Sequence, residues 1–414
     1  MLVISYLYFL LCLRSIFSTI FICLVLRRFI RPHIPENPLS ADKHLVIILK
    51  VFEETRLIEE TITYIKRHTH NINNLKVIIV GSARERNSEG NNETLKLAAS
   101  VIPRSAEYII VEDPELNGSH AHQNNYALQF IKTPHDRTWI MTLDIDSKFS
   151  KRGLQAVVNE INSNTLVMQQ SCLFLSNFPR LSVIQKGHAI YQSRWTIAHE
   201  LKRILLHNHT FLSVAHVVGH GLCIRLDTLF FFGGFPEETM TEDIHLGYYI
   251  VAARLPIKSI PIFEIGDSPE HFRDGLRQEY VWSFGAMNYP QYHSVFRKRF
   301  PDIWKKNRFR CFIIMVESII SYVGWLTCSW LVASAIVAAM CGSIPALWFV
   351  MLYIFEFLLC AVAFLYFGLM TKSDFIMTPI YGLLGAVRRS LGADIAAAAV
   401  LLGQSPKKHK TPHY

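Results

Sequence analysis

The chain has 414 residues, 50% of them hydrophobic, with a mean hydropathy of +0.22, which is too apolar for an ordinary soluble protein and too polar for a protein made only of membrane helices. The net charge is +9, and the basic residues concentrate beside apolar segments, which favours contact with anionic lipid headgroups over nucleic-acid binding. The eight cysteines form no CxxC pair, so buried thiols are expected instead of a disulfide framework or a zinc site.

Residues 1–30 are predicted to form an N-terminal membrane anchor helix. The apolar run 2–26 is long enough to span a bilayer, and Arg27 and Arg28 follow it, which predicts a cytosolic C-terminal end. A signal peptide is the alternative, but it would start with basic residues and have a shorter apolar core. Arg14 interrupts the run, and because a charge inside a membrane is costly, a short, tilted or re-entrant helix stays open.

Residues 31–43 are predicted to be a linker, because the three prolines in this stretch cannot continue a helix. Residues 44–300 alternate strand-like and helix-like segments, which predicts an α/β domain with a parallel sheet covered by helices. In such sheets ligands bind at the carboxyl ends of the strands. The predicted strands of the domain are 44–51, 77–80, 107–111 and 139–143.

The helical pattern over 187–206 is amphipathic. This segment either lies on the membrane, beside the path by which a second substrate would enter, or is an ordinary surface helix of the domain.

Residues 301–403 are predicted to be a C-terminal membrane region with two to three transmembrane helices. The stretches 312–341 and 345–371 are apolar and long enough to span a bilayer. Charged residues interrupt the stretch 375–403, so this segment either crosses the membrane or lies at its interface. The basic tail, 404–414, is expected to be cytosolic. The sequence thus predicts an integral, multi-pass membrane protein.

Asp144 and Asp146 follow the last predicted strand directly. Two carboxylates two residues apart in a turn can share a hard divalent cation, and such a cation can bridge the oxygens of a diphosphate. A solvated turn is the alternative explanation for an isolated pair of this kind.

Two further groups of polar residues follow in the same predicted domain. Asp243, in the run Thr241-Glu242-Asp243, can deprotonate an attacking hydroxyl, although the run also fits a helix start with Thr241 as its cap. Gln278 and Trp282 lie about forty residues further on, where a tryptophan can contact a sugar ring or simply anchor a helix at the interface.

In this order the motifs resemble those of the membrane-integrated family 2 glycosyltransferases, which include cellulose, chitin and hyaluronan synthases and ceramide glucosyltransferase. The resemblance covers residues 44–300 and the flanking membrane helices, and it implies a GT-A (Rossmann-like) glycosyltransferase domain. The segments that carry it are 49–54, 116–128, the DxD motif 144–146, the Gly-x-Gly segment 219–225, the TED motif 241–243, and Gln278 with Trp282.

The resemblance also implies a role for each matching residue. Asp243 would be the catalytic base, and Asp146 with Asp144 would hold Mn²⁺ or Mg²⁺. The acceptor or product would contact Glu242, Gln278 and Trp282. The nucleotide-sugar would contact Glu53, Glu54, His120, Asp144, Gly219 and Gly221.

The chain departs from the family pattern at three places. No acidic residue follows the second predicted strand at 80–83, where the family reads uracil. His120 replaces a lysine, and Val281 replaces the arginine of QxxRW, which would grip a diphosphate with its planar fork. By the same alignment, His120 and His220 lie near phosphate or sugar. These departures leave the donor and the processivity of the enzyme open.

The sequence therefore predicts a membrane-bound inverting glycosyltransferase with its catalytic domain in the cytosol, expected at the plasma membrane. It would transfer a sugar from a nucleotide-sugar to a lipid-linked or polysaccharide acceptor, in polysaccharide or glycolipid synthesis. No nucleic-acid partner is expected. The alternatives are a processive polysaccharide synthase and, in another class, a catalytically inactive membrane scaffold.

Overall fold

The computed structural model describes residues 2–102, 107–116, 118–210, 215 and 217–403, so the predicted basic tail 404–414 lies outside the described residues. A seven-stranded mixed sheet forms the centre of the described chain, with the strand order β3-β2-β1-β4-β6-β5-β7. The strands are β1 His44–Lys50, β2 Leu75–Ser82, β3 Tyr108–Asp113, β4 Thr138–Leu143, β5 Val167–Leu173, β6 Leu222–Arg225 and β7 Lys258–Ile265.

Helices cover both faces of the sheet and continue beyond it towards the two apolar ends of the chain. A π-helical turn, Thr196–Glu200, joins α6 to α7. The helices are α1 Leu2–Ile30, α2 Ile58–Thr69, α3 Glu93–Val101, α4 His120–Leu128, α5 Lys151–Asn162, α6 Val183–Trp195, α7 Leu201–His209, α8 Leu226–Phe231, α9 Glu242–Ala252, α10 Phe272–Met287, α11 Tyr289–Arg299, α12 Pro301–Met340, α13 Ile344–Tyr366 and α14 Lys372–Leu401.

The first four strands are parallel and overlap the predicted ones. The apolar runs of β1, β2 and β4, such as 45–49, are fully buried, as expected for strands covered by helices on both faces, whereas the edge strand β3 is partly buried. The sheet also contains a strand that the sequence did not predict: β6 runs antiparallel between β4 and β5. Because β6 runs against β4, the residues just before β6 lie at the carboxyl end of β4, beside Asp144.

Three helices in the described chain are long and apolar enough to cross a membrane: Ser5–Ile30, Pro301–Met340 and Ile344–Tyr366. Helix α1 packs against α13, and α12 packs against α13 and α14. Helix α14 does not belong to this set. It packs against α6 and α10, and its Arg389 forms an ion pair with Glu279 of α10 at 3.0 Å, so it connects the sheet domain to the apolar helices.

The predicted amphipathic helix 187–206 corresponds to α6, the π-helical turn and α7. It is not an ordinary surface helix, because α6 packs against α14 and Arg194 is buried in an ion pair with Glu356 of α13. The Thr196 hydroxyl donates to the carbonyl of Cys172 in β5 at 2.9 Å. This segment therefore lies between the sheet and the apolar helices.

Candidate active site

A cavity of about 1460 Å³ opens at the carboxyl ends of β1 and β4 and extends to helices α1 and α12. It brings together most of the residues that the sequence singled out, although they come from distant parts of the chain. Of the predicted site residues, all but Glu53 and Gly221 line it: Glu54, His120, Asp144, Asp146, Gly219, Glu242, Asp243, Gln278 and Trp282.

An ion pair between Lys50 and Asp144 lies at the floor of this cavity. The two residues end or follow the paired strands β1 and β4, and Lys50 Nζ is 2.8 Å from Asp144 Oδ1. Burial alone would lower the pKa of Lys50, but the charges of Asp144 and Glu242 raise it above its ordinary value. Burial alone would raise the pKa of Asp144, but Lys50 and His220 hold it well below the ordinary value. Sequence reasoning missed Lys50; the available signal was a lysine ending an otherwise apolar strand.

Asp146 follows Asp144 in a tight turn, which is closed by a hydrogen bond from Ser147 N to the carbonyl of Asp144 at 3.0 Å. Burial, together with the negative charge of Asp144, raises the pKa of Asp146 to about 7. Lys50 is already engaged by Asp144, so a further cation beside Asp146 would relieve this repulsion. The two oxygen-donor side chains suit a hard divalent cation such as Mn²⁺ or Mg²⁺. The residues present therefore fit the predicted metal.

Cys172, His220 and Glu264 form a second group with metal-ligand chemistry, with their donor atoms within 4.8 Å of one another. Thiolate and imidazole ligands would suit zinc and not Mn²⁺ or Mg²⁺. However, Glu264 Oε2 lies 3.5 Å from His220 Nδ1, and this carboxylate raises the pKa of His220 to about 9 against the effect of burial. The His220–Glu264 contact is therefore an ion pair that places a positive charge beside Asp144, and a metal at this group would have to displace the imidazole proton.

The carboxylate of Asp243 is held by two backbone groups. Its Oδ2 accepts a hydrogen bond from Gly219 N at 2.8 Å, and its Oδ1 accepts one from Ile244 N at 2.8 Å. A Cβ at position 219 would lie only 3.4 Å from Asp243 Oδ2, so glycine lets the loop approach the carboxylate closely. The idea that the Thr241 side chain caps α9 is wrong: its hydroxyl bonds to that of Tyr292 at 2.7 Å.

Gly221 and Glu53 lie just outside the cavity. Gly221 has φ +65°, and a Cβ there would lie 2.3 Å from the carbonyl oxygen of Gln170, so the glycine shapes the turn into β6. Glu53 is exposed and also has a positive φ of 53°. Its neighbour Glu54 lines the cavity, and the backbone N of Glu54 donates to Thr94 Oγ1 at 3.0 Å.

Helix α10 forms another wall of the cavity. Gln278 and Trp282 line it, and the ring of Trp282 lies 6.5 Å from that of Phe174. Val281 lines it as well, without the guanidinium of the family pattern. Arg277, one turn earlier on the same face of α10, also lines the cavity, so a guanidinium is present near this wall.

The chain was compared with known proteins. No curated protein sequence matches it. A family model described as Glycosyl transferase family group 2 matches residues 139–372, which is more than half of the 414 residues and includes the DxD, Gly-x-Gly, TED and α10 segments. Among solved structures, a mannosyltransferase from Pyrobaculum calidifontis in complex with GDP-Man and Mn²⁺ is similar, with a TM-score of 0.51 and 15% identity over 97% of this chain and 100% of that one. This likeness concerns the fold, and it confirms the predicted GT-A domain with flanking apolar helices. The match over most of the candidate site shows that the chain belongs to the family 2 glycosyltransferases.

Proposed function

We propose that the chain is a membrane-bound inverting glycosyltransferase that takes a sugar from a nucleotide-sugar and passes it to a lipid-linked or polysaccharide acceptor at the cytosolic membrane face. The observation that carries this proposal is the shared cavity, in which the Lys50–Asp144 pair, Asp146 and Asp243 all face one space. The three apolar helices support a multi-pass protein, with the sheet domain on the side of Arg27 and Arg28.

The donor would bind at the carboxyl ends of β1 and β4. A nucleoside diphosphate is strongly anionic, and positive charge from Lys50, His220 and His120 acts on this end of the cavity. Glu54 and Gly219 line the same end, and the similar mannosyltransferase was solved with GDP-Man. We therefore infer that this end holds the nucleotide-sugar.

The predicted Mn²⁺ or Mg²⁺ would be held by Asp146 with Asp144. When bound, such an ion supplies positive charge that stabilises the departing diphosphate. Lys50 keeps Asp144 ionised and fixed in place, so the pair is ready to hold the ion. The Mn²⁺ in the mannosyltransferase complex supports this assignment.

Asp243 would act as the general base. Hydrogen bonds from Gly219 N and Ile244 N fix its carboxylate at the cavity wall, where it can take the proton of an acceptor hydroxyl. As that proton moves to Asp243, the acceptor oxygen bonds to the anomeric carbon and the bond to the nucleoside diphosphate breaks. A single displacement inverts the anomeric carbon, so an α-linked donor gives a β-linked product. Glu242, Gln278 and Trp282 line the wall on which the acceptor sugar would lie.

We favour single transfer over processive synthesis. A synthase that extrudes its own polymer needs a channel, and only two of the candidate spans in the described chain follow the sheet domain. In addition, Val281 occupies the position at which the synthase pattern has an arginine. The inactive-scaffold alternative has no specific support, because the metal and base positions keep Asp146 and Asp243.

The test is release of nucleoside diphosphate by the purified full chain in detergent, across a panel of nucleotide-sugars with Mn²⁺ or Mg²⁺. We expect turnover with one donor, lost in Asp146→Asn and Asp243→Asn and retained in the matched control Asp136→Asn, which changes an exposed aspartate that does not line the cavity. No release with any donor, combined with no metal-dependent nucleotide binding in calorimetry, would favour the scaffold. An α-linked product from an α-linked donor would contradict the mechanism.

A further inference from the structure

The cavity has a second end, which the proposed donor and base do not occupy. Beyond Asp243 it continues past α7 into the space between α1 and α12. Side chains of α12 that lie three or four residues apart face this space, which gives it one continuous helical wall. Its apolar lining includes Leu11, Trp325, Leu331, Val332, Phe349 and Tyr353.

Three basic side chains of α1 and α7 also line the cavity: Arg14, Lys202 and Arg203, here called the cationic cluster. Burial, followed by the charges of Arg14 and Arg203, lowers the pKa of Lys202 to about 8, so the three positive charges act on one another. Arg203 donates to Ser321 Oγ at 2.7 Å, and burial lowers its pKa while the charge of Glu317 acts in the opposite direction.

Two members of the cationic cluster, Arg14 and Lys202, have no ion-pair partner among the described residues. In the described part of the chain, no carboxylate lies within ion-pair distance of Arg14 or Lys202, and the nearby Glu356 is already paired with Arg194. Placing an arginine within an apolar helix and a second cation beside it is unfavourable unless an anion binds there. The arrangement therefore predicts an anionic ligand.

The cationic cluster is also connected to the base. Arg14, Lys202 and Arg203 line the same cavity as Asp243, and the buried Tyr289 lines it too. Burial raises the pKa of Tyr289 to about 12, while the charge of Arg203 lowers it and that of Asp243 raises it. An anionic group at the cluster can present an attached sugar to Asp243.

Helices α1 and α12 both border the apolar end of the cavity. Each helix packs against α13, which forms the back wall, and Tyr8 of α1 donates a hydrogen bond to Ser334 of α12 at 3.1 Å near the far end. Below this contact, Leu11 and Arg14 face the cavity from one side and Trp325 from the other. An apolar chain in this place would lie among the three helices that are long and apolar enough to cross a membrane.

We propose that the acceptor is an anionic lipid whose phosphate or diphosphate binds to the cationic cluster while its hydrocarbon chain lies between α1 and α12. This rests on the proposed function, since a hydroxyl carried by the headgroup would be the one that Asp243 deprotonates. It also accounts for Arg14, which is otherwise out of place in an apolar helix.

The experiment is equilibrium binding of radiolabelled farnesyl phosphate to the full chain in phosphatidylcholine nanodiscs, with farnesol and inorganic phosphate as competitors. We expect farnesyl phosphate to bind and both competitors to be far weaker, because the site needs the charge and the chain together. The double substitution Arg14→Gln/Lys202→Gln should weaken binding by about tenfold to a hundredfold, since it removes two charged partners of the phosphate.

The matched control is Lys306→Gln/Arg308→Gln, which removes two exposed cations from α12 that do not line the cavity. It should bind like the unmodified protein. Equal competition by farnesol would show an apolar groove only, and equal competition by inorganic phosphate would show a free-phosphate site; either result, or an equal loss in the control, would overturn the proposal. Metal-dependent nucleotide binding, measured in parallel, tests the proposed function separately and reports whether each variant is folded.

Discussion

Replacing Lys50 by methionine tests whether the ion pair with Asp144 organises the floor of the cavity. The lysine side chain is only 7% exposed and its Nζ lies 2.8 Å from Asp144 Oδ1. Removing one partner of a fully buried pair costs about 3–5 kcal/mol. Because Asp144 is 38% exposed and water can partly solvate the carboxylate left behind, we expect a smaller loss, about 1.5–3 kcal/mol of unfolding free energy.

The assay is urea denaturation in detergent micelles, followed by fluorescence. The matched control is Lys148→Met, since Lys148 pairs with Glu60 at 3.3 Å on the surface, with side chains 43% and 64% exposed, and should cost about 1 kcal/mol or less. The double variant Lys50→Met/Asp144→Asn should recover part of the loss, because it leaves no buried charge without a partner. A loss no greater than that of Lys148→Met, or strictly additive single effects, would refute the reasoning.

Three further results are expected. Gly221→Ala should lower the unfolding free energy by about 2 kcal/mol or more, because its Cβ would lie 2.3 Å from the Gln170 carbonyl at φ +65°; a neutral effect in urea denaturation would contradict this geometry. Asp243→Asn should reduce turnover by about 10²–10⁴-fold and leave nucleotide binding in calorimetry unchanged, and weakened nucleotide binding would argue against a role as base. The hydrogen bond from His122 to Asp113, 2.7 Å long, raises the pKa of His122, so its stabilisation is complete below a pH of about 6.5 and is lost as the pH rises through the raised value. The stability lost in Asp113→Asn should therefore be larger at about pH 6 than at about pH 9, and an equal loss at both would exclude a charged His122.

The parts of the fold that follow from local pattern were predictable. Strands β1, β2 and β4 are buried apolar runs, β3 is a partly buried one, and the turn after β4 carries Asp144 and Asp146 where parallel sheets bind ligands. Strand β6 was not predictable, because four residues give no periodicity and its antiparallel direction depends on pairing with β4 and β5.

The candidate site was likewise predictable only where a local pattern marks it. The motif residues could be identified because their order along the chain carries information. The partners of those residues could not be identified, since the Lys50–Asp144 and His220–Glu264 contacts join segments about a hundred and about forty residues apart. Arg14 looked like a defect in a membrane helix because its neighbours on α7 are remote in sequence. Pairings of this kind are set by tertiary packing, which a single sequence does not record.

The links between α14 and the sheet domain bear on how the protein can be handled in the laboratory. Arg389 bonds to Glu279, and Arg388 donates to Gln185 of α6 at 2.6 Å, so the helices that carry Gln278 and the centre of the cavity wall depend on a segment near the C-terminal end. A soluble fragment ending at residue 300 would leave the Glu279 carboxylate without its guanidinium and would bare the apolar sides of α6 and α10. Truncation at the boundary suggested by the sequence would thus remove part of the cavity along with the membrane helices, and crystallographic work on ligands needs the whole chain.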